Sequence, residues 1–123
     1  MLKPLLVLIA ISQLVLAALT LLVPVQFATW MGLTPPPADS AYLMAMLGTR
    51  FLVLGLGLLV QARRSQPDPG WVLTMAAIQV GDFAAGALLL VQGTIAVPSA
   101  ALPMTNAALF ALGLWSFRPR HPA

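Results

Sequence analysis

Four apolar runs, each close to twenty residues long, follow one another, set off by prolines, glycines and connections of at most seventeen residues. A helix needs roughly 20 apolar residues, at about 1.5 Å rise each, to cross the hydrocarbon core of a bilayer. The first run extends from Pro4 to Val23 and is closed by Pro24. The second, Ala41 to Gln61, ends in Ala62-Arg63-Arg64-Ser65-Gln66-Pro67-Asp68-Pro69-Gly70. The third runs from Trp71 to Val91, before Gln92-Gly93, and the fourth from Pro98 to Phe117 with Pro103 inside it. An internal proline is tolerated in a membrane helix when neighbours satisfy the freed carbonyl. Only 7% of the 123 residues are charged, and Glu is absent. Soluble domains carry about 25% charged residues, so these side chains cannot cover a water-facing surface. No continuous period-2 alternation supports a β-barrel. The expectation is an all-α integral membrane four-helix bundle, a single transmembrane domain over 1–123 with spans at 4–23, 41–61, 71–91 and 98–117.

The same composition removes several functions. With no Cys and one His, this chain alone offers no thiolate metal site, CxxC redox pair or bis-histidine haem, and no metal ligands are assigned. The net charge of +3 does not point to nucleic acid, because the basic residues form no stripe with interleaved aromatics. Their placement is topological. Lys3, Arg63, Arg64, Arg118 and Arg120 all fall in the N-terminus, the second connection or the C-terminus, which four spans put on one side. The 24–40 and 92–97 connections hold no Lys or Arg and only Asp39. The positive-inside rule then predicts the cytoplasmic membrane, with both termini in the cytoplasm. Trp71 and Trp115 fall at the inner interface, Trp30 and Tyr42 at the outer, and His121 in a polar tail. Residues 1–20 also have the look of a secretory leader, with Val15-Leu16-Ala17 as a cleavage site. The apolar run continues to Val23, longer than a usual leader core, so a retained helix is expected.

The first external connection begins with an apolar segment, 25–33, too short to span. Pro35, Pro36 and Pro37 follow, then Asp39-Ser40 as an N-cap for the second helix. The reading is a short interfacial or re-entrant helix, either a lid over a cavity or a membrane-surface anchor.

Arg50 is the one basic residue that topology leaves unexplained, and Asp82 in the third span is its only ionisable counterpart. Each lies nine residues from the outer end of its span, roughly 13–14 Å deep. An unpaired charge at that depth costs at least ~3 kcal/mol on insertion scales, so a mutual pair is expected. Gln13 beside Ser12, Gln79 one turn from Asp82, and Asn106 beside Thr105 fall at the same level. Arg50 supplies donors and Asp82, Gln13, Gln79 and Asn106 supply acceptors. Such a layer is either structural glue, or a site for the polar head of a lipophilic molecule or a protonatable relay. The small-residue rows Ala77-Gly81-Ala85 and Ala107-Ala111, and Gly48, Gly55 and Gly57 around Arg50, are expected to mark close helix approaches. The six Met residues read as core filler.

Three functions fit these residues. One is a non-catalytic protein that binds an apolar ligand, quinone- or lipid-like, at Gln13, Arg50, Gln79, Asp82 and Asn106, or serves as accessory subunit of a membrane complex. The second is an enzyme on a lipophilic substrate, with Asp82 as acid/base and Arg50 as its electrostatic partner. The third, a small transporter or channel, ranks last. Small multidrug transporters use a Glu in the first helix, absent here, and the fluoride-channel Asn after Gly-Thr is replaced by Arg50. Beyond the lipid bilayer and such a small molecule, expected partners are a second copy or a larger membrane complex. No cofactor is assigned.

A first helix ending in Pro24, then Phe27 and Gly32, then Arg50-Phe51-Leu52-Val53-Leu54-Gly55-Leu56-Gly57 and a basic loop, resembles the DoxX-like superfamily of small four-helix membrane proteins. Gly81-Asp82 is similar to an acidic position in branches of that group. The resemblance spans most of the chain. It implies the four-helix fold and a quinone-linked or accessory-subunit role. The lysine near the end of the first helix is absent here, so quinone-reducing activity is not carried over.

Overall fold

A computed structural model of the chain describes residues 1–120; His121 lies outside the described residues. The chain is helical almost throughout, with no strand among the described residues. Helix α1 spans Leu2–Leu22, α2 Pro24–Trp30, α3 Ala41–Arg63, α4 Pro69–Val91 and α5 Val97–Phe117. A single 3₁₀ turn, Ala38–Ser40, leads into α3. The four long helices are all apolar and long enough to cross a membrane, which makes this a multi-pass membrane protein. The expected four-helix bundle with a short helix between the first two spans is the fold observed.

Local chemistry explains where the helices stop. At Val23 the backbone leaves helical values (φ −137°, ψ 54°), and Pro24 starts α2 with its fixed φ and no N–H to satisfy. Helix α2 closes in a Schellman motif: Leu33 N–H donates to Ala28 O at 2.9 Å and Gly32 N–H to Thr29 O at 3.0 Å. That closure needs a left-handed residue, and Gly32 sits at φ +75°. Helix α4 ends the same way at Gly93, φ +71°, with Thr94 N–H bonded to Leu89 O. Its start is equally defined. The Asp68 carboxylate accepts from Gly70 N–H at 2.7 Å and Trp71 N–H at 3.4 Å, while Gln61 Oε1 accepts the Asp68 N–H at 2.8 Å. At α3 the Ser40 side chain makes no cap bond, so the expected Asp39-Ser40 cap is replaced by the 3₁₀ turn.

The helices pack as two antiparallel hairpins, α1 with α3 and α4 with α5, joined mainly through α1 and α5. Glycines set the close approaches. Gly48 admits Leu21, Gly55 admits Leu14 and comes near the Ala10 carbonyl, Gly86 admits Met104 and Gly113 admits Leu5. Leu5 beside Gly113 also places the two chain ends on one side of the bundle, the terminus side. The core lies in that half: Leu6, Ile9 and Ala10 of α1, Leu58 of α3, Val72, Met75 and Ala76 of α4, and Leu114 of α5. Toward the far side α3 and α4 part, while Gly32 still meets Ser99 at the start of α5. The remaining faces carry exposed Val and Leu on every long helix, a surface suited to lipid rather than water.

Candidate functional site

Helices α3 and α4 are consecutive in the chain, yet they meet closely only near the terminus side. There the Trp71 ring fills the gap left by Gly57, and Gln61 holds the start of α4. Seven residues further along both helices, the gap becomes an open cleft of about 350 Å³ lined by Thr49, Arg50, Val53, Leu54 and Ile78. A second groove of about 360 Å³ continues along α3 past Arg50, lined by Tyr42, Ala45, Met46 and Thr49. Thr49 satisfies itself, its Oγ1 donating to Ala45 O at 2.8 Å. Arg50 is therefore the one charged group on two otherwise apolar grooves, and no carboxylate lines either.

The five residues expected in one polar layer are not gathered. Gln13 and Gln79 are buried, at 5% and 3% exposure, whereas Arg50, Asp82 and Asn106 are exposed. The expected Arg50–Asp82 pair is not made within the chain: Ile78, not Asp82, faces Arg50 across the cleft. Two geometric facts account for this. Asp82 lies four residues beyond Ile78, about 6 Å further along the helix axis at ~1.5 Å per residue. The cleft beside Arg50, lined by Leu54 and Ile78, is open, so α3 and α4 stand apart at that level.

Gln79 and Asp82 also separate, although three residues apart. That spacing leaves about 60° between side chains on a helix, and the buried stripe of α4 (Val72, Met75, Ala76, Gln79) is narrow enough to divide them. Gln79 Nε2 is buried with no acceptor. The neighbouring hydroxyls need none, because Ser12 donates to Ile9 O and Thr105 to Ala101 O within their own helices.

Small residues also behave differently from expectation in one place. Gly48, Gly55 and Gly57 mark close approaches, and Ala107 is buried. The row Ala77-Gly81-Ala85 faces away from the rest of the chain, with nothing near a Cβ built on Gly81. The contact of α4 with α5 uses Gly86 against Met104 instead. Sequence reasoning also passed over Gln61 and Thr20, both buried. Gln61 was legible in principle, as a polar residue one position before a polar loop. At the terminus side Arg118 lies over the Trp115 ring, 3.7 Å from its centroid, which fits an interfacial anchor. Among the described residues no group of three or more potential ligands forms a metal site.

No family model, curated protein or solved structure matches this chain.

Proposed function

We propose that this multi-pass membrane protein binds an apolar molecule carrying a polar head, quinone- or lipid-like, in the cleft between α3 and α4. Arg50 holds the head and the groove along α3 takes the apolar part. One observation carries the reading: an arginine midway along a membrane-spanning helix opens onto an apolar cleft that no carboxylate lines. Intramembrane charges are costly and mark substrate or ligand paths when they are not matched internally. The guanidinium presents five N–H donors in a fixed fork, suited to carbonyl or phosphate oxygen. Val53, Leu54 and Ile78 give the cleft apolar sides, and at that depth the surrounding hydrocarbon keeps water from those bonds. The reading places the protein in the cytoplasmic membrane, with Lys3, Arg63, Arg64, Arg118 and Arg120 on the cytoplasmic side. The DoxX-like resemblance, with its quinone-linked and accessory-subunit roles, is consistent with such a binder.

The test is to purify the protein in mild detergent and identify retained lipids and quinones by mass spectrometry. The expected result is one amphiphile retained by the natural chain and lost from Arg50→Gln, while Arg63→Gln, on the basic loop, retains it. Equal retention by both variants would overturn the proposal.

A further inference from the structure

Each copy of this chain leaves one cation and one anion exposed midway along its spans, Arg50 on α3 and Asp82 on α4. Arg50 lines the cleft between the two helices, and Asp82 lies one turn beyond Ile78, outside that lining. Arg50 shares a helix face with Gly57, seven residues on, and Asp82 shares one with Ile78, four residues back; Gly57 meets α4 at Trp71, and Ile78 faces Arg50. We propose that a second copy of the chain docks along the exposed edge of α4, so that Arg50 of each copy pairs with the partner's Asp82. The complement is reciprocal. A two-fold axis along the membrane normal satisfies both charges of both copies with one contact, as an isologous interface requires.

The geometry supports this pairing in three ways. Within the chain an open cleft separates the two helices at the level of Arg50 and does not reach Asp82, while both charged side chains are exposed. An axis along the normal keeps each residue at its own depth, so the one-turn offset between Arg50 and Asp82 persists. Side chains lean toward the N-terminus of their own helix, and α3 and α4 run in opposite directions. Arg50 therefore leans toward the level of Asp82, and Asp82 toward the level of Arg50. Finally, one exposed row of α4 is made of small residues: Ala77, Gly81 and Ala85 are exposed, and nothing lies near Gly81. A partner helix can approach there closely. The dimer stands whatever occupies the cleft, since one guanidinium has enough donors for both a carboxylate and a ligand head.

The experiment uses two full-length chains with different tags, Arg50→Asp and Asp82→Arg. Each alone puts like charges opposite each other in a dimer, and mixing them restores both pairs. The expected result is loss of the dimer for either variant alone and a mixed dimer when the two are co-expressed. Recovery of accumulation on co-expression, should either chain fail to accumulate alone, supports the proposal equally. An in-chain pair predicts no rescue by mixing, so absence of a mixed dimer, or dimers of each variant alone, overturns the proposal. A second arm leaves the charges untouched. The chain has no cysteine, so a Gly81→Cys chain can form no internal disulfide, and a cross-link of twice the chain's mass reports a second copy. In membranes it should cross-link, and Leu109→Cys, on the exposed face of α5, should not. Equal cross-linking at the two positions, or none at Gly81→Cys, overturns the proposal. Amphiphile retention is read separately, so loss of either result leaves the other interpretable.

Discussion

Gln79 shows how a single side chain carries both a cost and a clue. Its amide nitrogen is buried without an acceptor, one turn beyond the apolar contacts of Met75 and Ala76. A buried donor left unsatisfied costs about 1–3 kcal/mol, while an apolar group of similar shape in its place costs little. Gln79→Met, close in volume and unbranched, should therefore raise the unfolding midpoint in detergent, by roughly 1 kcal/mol of stability. Gln61→Met should do the reverse. Gln61 accepts the Asp68 N–H, and its loss strands that donor beside the cap of α4. Measured thermal unfolding of both variants checks the pair of signs. A destabilised Gln79→Met would mean that the amide has a partner this geometry does not account for. The contrast also marks what a sequence conveys at this scale. Depth along a span is countable, so Gln13, Arg50, Gln79, Asp82 and Asn106 were placed at one level. Azimuth is fixed by which neighbour each helix meets, and it separated two buried amides from three exposed side chains.

Among the elements, glycines were visible in the sequence as a set, but their individual roles depend on pairing. Gly55 sits against Leu14 and the Ala10 carbonyl in the α1–α3 contact, whereas Gly81 looks into open space. Both are helical, so alanine gains about 0.5–1 kcal/mol of intrinsic helix preference at either. At Gly55 that gain is offset by a methyl that would lie 2.7 Å from Leu14 Cγ and 3.2 Å from backbone oxygen, which side-chain repacking cannot relieve. Overpacking of this kind costs typically about 1–3 kcal/mol. Gly55→Ala should therefore destabilise the chain and Gly81→Ala should leave its folding unchanged or improved. Gly93→Ala isolates a third cause, because it has space for a methyl but holds φ +71° to close α4. A left-handed alanine costs roughly 1–2 kcal/mol, and denaturation of the three variants in one detergent compares them directly. The long helices themselves were legible because length and apolarity suffice to define a span. Which face of α4 would be covered was not: its small-residue row suggested an in-chain neighbour, and the chain buries Gly86 instead.

Taken whole, the molecule is asymmetric across its thickness, and charge and packing follow the same axis. The core clusters on the terminus side, where Trp71, Gln61 and Asp68 also tie α3 to α4. All the basic residues except Arg50 lie on that side: Lys3 at the start of α1, Arg63 and Arg64 at the end of α3, Arg118 and Arg120 after α5. The far side has Asp39 as the one charged residue in its connections, and toward it α3 and α4 separate to leave the Arg50 cleft. Loops rich in Lys and Arg are held back on the cytoplasmic side during insertion, and acidic residues contribute little to that choice. Orientation of the whole bundle is thus tied to the loop between α3 and α4, which is short, basic and locked by its own hydrogen bonds. We predict that Ser65→Cys in that loop is shielded from a membrane-impermeant maleimide applied to intact cells and reacts once the membrane is opened. Thr94→Cys, beyond the Schellman closure of α4, should react in intact cells. Replacing Arg63 and Arg64 together with Gln removes both positive charges from the only connection on that side, and should yield a mixed labelling pattern at both positions. Labelling of Ser65→Cys in intact cells would invert the assignment. The cleft would then open toward the cytoplasmic leaflet, and its amphiphile would have to be sought among the lipids of that leaflet.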